Sequence, residues 1–122
     1  MALGRSNEVE VGDCAIKFEH AESFSAGQTN QLKFLIRDKT GKPLELENFL
    51  GTPIHLFIVN QNLSSCLHAH PQGASALGGM VLFAQSFPNP GTYKLFAQFR
   101  PKSNHLGPEE ALLAEFTLVV KP

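Results

Sequence analysis

The segment Cys66-Leu67-His68-Ala69-His70-Pro71 carries the densest run of metal-capable side chains in the sequence, and His55 lies a short way upstream. In an extended strand alternate residues share a face, so Cys66, His68 and His70 are expected to point the same way. Imidazole and thiolate are ligands for zinc and copper, and imidazole nitrogens hold zinc at about 2.0–2.1 Å. Whether His55 joins them depends on the hairpin loop between its strand and the Cys/His strand. A two-residue loop, Gln61-Asn62, brings His55 opposite His68, and a four-residue loop, Gln61 to Ser64, brings it opposite His70. A three-residue loop turns His55 to the other face, because a one-residue slip inverts every side chain.

A site of His55, His68 and His70 leaves a fourth position for water or for Cys66. Three nitrogens suit zinc or Cu(II), while the thiolate favours a softer ion. Protonation removes the donor lone pair, so such a site weakens as pH falls through the histidine range near 6.5. A structural reading competes with it. Neutral histidines on a partly apolar strand can satisfy each other and nearby carbonyls, leaving the segment as framework or as a surface for a protein partner.

No pattern of nucleophile, base and orienting acid accompanies these residues. Cys66 and His68 stand two places apart on a strand, about 6–7 Å, with no evident carboxylate to orient the base. Gly78-Gly79 lacks the Lys-Ser/Thr and the helix of a phosphate loop. His20 and His105 are read as exposed, and Asp38 and Glu45 to Glu47 as turn and surface charges. The reading is of a protein that is not an enzyme.

At 122 residues the chain is long enough for one self-sufficient core, read as a flexible segment over 1–12 and a single β-sandwich domain over 13–122. A net charge of −1 gives no basic field for nucleic acid or anionic lipid. No apolar run approaches the roughly 20 residues that cross a bilayer. Met1-Ala2-Leu3-Gly4-Arg5 has no apolar core of the signal-peptide kind, a start that removal of a leader would also produce. Cys14 and Cys66 permit one internal disulfide or two separate thiols. Composition leaves the oligomeric state open.

The elements that would position the histidines read as consecutive strands. Cys14 to Phe18, Gln31 to Asp38, Tyr93 to Phe99 and Leu113 to Val120 alternate apolar and polar residues. Pro53 to Val59 is apolar on both faces apart from His55, the Cys/His segment follows it, and Val81 to Phe87 resumes strand character. Asp38-Lys39-Thr40-Gly41 and Pro88-Asn89-Pro90-Gly91 are turns, the second leading into a corner pinned by the Tyr93 hydroxyl. Leu44 to Leu50 suggests a turn or two of helix, and 109–114 a lead-in to the last strand. About seven short strands without intervening helices predict an all-β, immunoglobulin-like antiparallel β-sandwich. Its expected core is Ile16, Phe18, Leu32, Phe34, Ile36, Leu56, Ile58, Leu95, Phe99, Phe116 and Leu118. With Ile54, Leu56 and Ile58 inward, His55, Phe57 and Val59 need cover from the 71–79 loop or from another chain.

The series Gly27-Gln28, Leu32-Lys33-Phe34-Leu35-Ile36, Gly41-Lys42-Pro43-Leu44, Phe49-Leu50-Gly51, His55-Leu56-Phe57-Ile58-Val59, His68-Ala69-His70-Pro71 and Pro90-Gly91-Thr92-Tyr93 resembles the YtkA-like group of bacterial extracytoplasmic domains. The resemblance runs from about Gly27 to the C-terminus. It implies an immunoglobulin-like or cupredoxin-like sandwich, a periplasmic or extracellular location, and company with copper or heavy-metal handling systems. Cys66 and the long Pro101–Pro108 loop depart from the pattern. The expected function is therefore a non-enzymatic extracytoplasmic accessory domain binding copper or zinc through the histidine cluster. A metal-free protein–protein interaction module is the alternative.

Overall fold

The computed structural model describes residues 5–20, 24–47, 54–60, 66–69, 80–101 and 111–122. Among them nine strands occur and no helix: β1 (Arg5–Val11), β2 (Cys14–His20), β3 (Phe24–Ser25), β4 (Thr29–Asp38), β5 (Ile54–Asn60), β6 (Cys66–Ala69), β7 (Met80–Ser86), β8 (Gly91–Phe99) and β9 (Leu112–Lys121). They form a four-stranded sheet, β1-β2-β4-β7, and a five-stranded sheet, β3-β9-β8-β5-β6. Neighbouring strands are antiparallel except the short β3–β9 pair, which is parallel. The immunoglobulin-like sandwich is the architecture that the alternation dictates.

That alternation sorts the side chains. In β4, Leu32, Phe34 and Ile36 are fully buried while Lys33 and Leu35 between them are only half-covered. All eleven residues expected in the core are buried. Phe18 stacks on Phe34 at 4.9 Å, and Phe34 also meets Phe83 at 5.7 Å and Phe116 at 5.8 Å. This cluster ties β2, β4 and β7 of one sheet to β9 of the other. Each aromatic pair contributes about 0.5–1.5 kcal/mol beyond its buried area.

Three features differ from expectation. Residues Arg5–Val11, read as part of a flexible segment, form an edge strand paired with β2 from Arg5–His20 to Val11–Cys14. Its hairpin turn is the two residues Gly12-Asp13, with Gly12 at φ 58°, a left-handed value that glycine reaches without steric cost. Phe24, unassigned by periodicity, is buried where β3 runs beside β9. The expected short helix is absent over its described part: Leu44 N donates to Ile36 O (3.0 Å) and Glu47 N to Arg100 O (2.8 Å). Four residues cannot support a helical nucleus when neighbouring backbone offers partners.

The two turns follow their sequence signals. The Asp38 carboxylate accepts from Thr40 N (2.8 Å), Thr40 Oγ1 (2.6 Å) and Lys42 N (3.0 Å). These hydrogen bonds, with that from the Thr40 hydroxyl foremost, hold its pKa below the usual 3.8. Gly41, at φ 89°, completes the turn. At the other end Tyr93, fully buried, donates its hydroxyl to Asn89 O at 2.7 Å and tilts against Phe87 at 4.9 Å. This is the expected tyrosine corner.

Candidate functional site

The outer face of the five-stranded sheet gathers the residues singled out from the sequence. Strand β5 directs Ile54, Leu56 and Ile58 into the core, so His55, Phe57 and Val59 lie on the outer side. Cross-strand pairing then sets the neighbours. His55 stands opposite Gln98 and Phe57 opposite Phe96; one strand further, Leu113 faces Gln98 and Glu115 faces Phe96. On the other flank β6 sets His68 opposite Phe57 and Cys66 opposite Val59.

The β5–β6 register is the one a four-residue connection gives. The two-residue alternative, which opposes His68 to His55, is not adopted. His68 is thus diagonal to His55, a relation that separates α-carbons by about 7–8 Å. His70, the residue that this register would set against His55, lies outside the described residues, as do His105 and the 71–79 loop. Among the described residues no group of three or more His, Cys, Asp or Glu side chains is placed to hold a metal ion.

His55 is 9% exposed despite facing outward, and its ring lies 6.5 Å from that of Phe57 with the planes 14° apart. That spacing follows from two residues at i and i+2 on a strand. Phe57 is 36% exposed and Leu113 56%. Together with half-covered Phe96 they make an apolar patch around the His55–Gln98–Leu113 row. Its border carries a salt bridge, Lys94 Nζ to Glu115 Oε2 at 3.1 Å. Leu113 was absent from the candidate residues, although the inward parity of Phe116, Leu118 and Val120 already turned it outward.

The cysteines do not pair: Cys14 is a buried free thiol and Cys66 an exposed one. Cys14 Sγ donates to Val11 O at 3.2 Å, and burial, reinforced by the Asp13 charge, pushes its pKa above 9.0. Cys14 also borders a concavity of about 530 Å³ on the four-stranded sheet, where Glu8, Glu10 and Asp38 are interspersed with Lys17, Arg37 and Lys39. Acids and bases there offset one another, and the wall favours neither sign of ligand.

Fold and face together define an immunoglobulin-like sandwich domain. In structure the chain is similar to the filamin domain of Lin-41, with a TM-score of 0.50 and 15% identity over 95% of this chain and 91% of that one. In sequence it belongs to the family described as "Domain of unknown function (DUF8832)", which matches residues 9–121. No curated protein matches the chain.

Proposed function

We infer that the chain is a non-enzymatic protein–protein interaction domain that receives its partner on the outer face of the five-stranded sheet. The observation that carries this reading is the patch of Phe57, Phe96 and Leu113 beside His55, where large apolar side chains stand at the surface of one rigid sheet. Scattered surface apolar residues are ordinary, but a contiguous aromatic group with a polar border is the composition of a contact surface. The immunoglobulin-like frame supplies the rigidity, and the recognition chemistry resides in the patch. A photo-crosslinking residue at position 113 should join the chain to one discrete protein in its native cells. Phe57→Lys should abolish the adduct while leaving the thermal melt of the domain intact. An adduct indifferent to Phe57→Lys overturns the reading.

A second reading is supported by the β5–β6 register, which sets His68 opposite Phe57 and so at a position diagonal to His55. A copper or zinc ion held by His55, His68 and His70 fits the metal-handling company and the periplasmic or extracellular location that the YtkA-like resemblance implies. Cys66, opposite Val59 and so about 13 Å along the ladder from His55, lies beyond the reach of that ion. Calorimetric titration with either ion tests it. A stoichiometric heat lost in His68→Ala supports this reading, and no heat sets it aside.

A further inference from the structure

The four sheet edges differ in how they resist pairing with another strand. Among the described residues β3 has two and β6 four, too few to template a long ladder. β1 turns Glu8 and Glu10 to solvent. β7 is Met80-Val81-Leu82-Phe83-Ala84-Gln85-Ser86: seven residues without a charge or a proline, in unbroken register with β4. Within its own residues it has no charge, proline or bulge to blunt the edge.

The backbone phase shows which of its groups are open. β2 occupies one side of β4 as far as Asp38, so Lys42 and Leu44 lie on the β7 side. Asp38 N donates to Lys42 O (2.9 Å) and Leu44 N to Ile36 O (3.0 Å), so even-numbered β4 residues turn their backbone groups toward β7. Asn30, Leu32 and Phe34 face Gln85, Phe83 and Val81, which are therefore the β7 residues bonded inward. The N–H and C=O groups of Met80, Leu82, Ala84 and Ser86 point to the other edge, where no strand is paired among the described residues.

We propose that this edge pairs antiparallel with β7 of a second copy, across a two-fold axis at Phe83, joining two four-stranded sheets into one. The phase matches: Leu82 of one copy meets Ala84 of the other and Met80 meets Ser86, each an open pair able to exchange two hydrogen bonds. All side chains brought together are uncharged, and at a net charge of −1 two copies repel little. Self-pairing of β1 would instead oppose Glu8 to Glu8 or Glu10, a repulsive arrangement. The surface is separate from the Phe57–Leu113 patch, so the inference does not rest on that reading.

Sedimentation velocity on the 122-residue chain from micromolar to millimolar concentration tests it. The expected result is a monomer–dimer equilibrium, weakened at least tenfold by Ala84→Lys and unchanged by Phe57→Lys. Ala84→Pro removes only an outward donor, so it should abolish the dimer in a folded domain. Gln85→Pro removes a donor bonded to β4 and should destabilise the monomer itself. A chain monomeric at every concentration, a dimer indifferent to Ala84→Lys, or one lost on Phe57→Lys overturns the proposal.

Discussion

Replacing Tyr93 by phenylalanine isolates one hydrogen bond in the domain. The ring is fully buried and packs on Phe87 at 4.9 Å, contacts that phenylalanine keeps. The change deletes the hydroxyl that donates to Asn89 O at 2.7 Å. Asn89 lies at the surface, so its carbonyl can turn to water and escape the full penalty of a buried orphan. The cost is then that of one net hydrogen bond, about 1 kcal/mol. With a urea slope of about 2 kcal/mol per molar, the unfolding midpoint should fall by about 0.5 M at unchanged slope. The melting temperature of a domain this size should drop by about 3–5 °C. Tyr93→Ala, which also deletes the ring, should cost about 3–5 kcal/mol. Equilibrium urea unfolding of both variants is the assay. An unmoved Tyr93→Phe midpoint, or one that falls as far as that of Tyr93→Ala, would refute the corner as a hydrogen-bonded pin.

Acid and thiol chemistry provide two further checks. The depressed pKa of Asp38 makes its contribution complete above its ordinary value of 3.8 and lost as pH falls through the lower folded value. The melting-temperature deficit of Asp38→Asn should therefore be present near neutral pH and vanish in acid; a deficit independent of pH sinks this account. Cys14 has the opposite sign: its raised pKa contributes stability below 9.0 that is lost as pH rises further. A thiol reagent at pH 8 should label exposed Cys66 rapidly and Cys14 only on unfolding. Two rapid labels in the wild type, or one surviving in Cys66→Ser, would contradict that order.

The sandwich was legible because period-two alternation has one physical solution. Strands such as Leu32-Lys33-Phe34-Leu35-Ile36 must bury one face, and eleven inward positions read this way are core positions. The Asp38 turn and the Tyr93 corner were equally local, since their hydrogen bonds span four residues or fewer. Strand β1 escaped notice because Arg5-Ser6-Asn7-Glu8-Val9-Glu10-Val11 has only two apolar residues, Val9 and Val11, and gains its order from pairing with β2. β3 is two residues long, held by its neighbour β9 and by burial of Phe24. No periodicity can announce so short an element.

For the candidate site, sequence by itself determined membership and parity: His55, Phe57 and Val59 on one side of their strand, Cys66 and His68 on one side of theirs. Two loop lengths were compatible with bringing those sides together, because hairpin register is set by turn geometry that the Asn60–Ser65 residues do not specify alone. Tertiary structure selected the register that places Phe57, rather than His55, opposite His68. It also brought Phe96 and Leu113 beside that pair from strands about forty to fifty-five residues away. A face assembled across β5, β8 and β9 is a product of strand order, and strand order is decided by which buried surfaces meet.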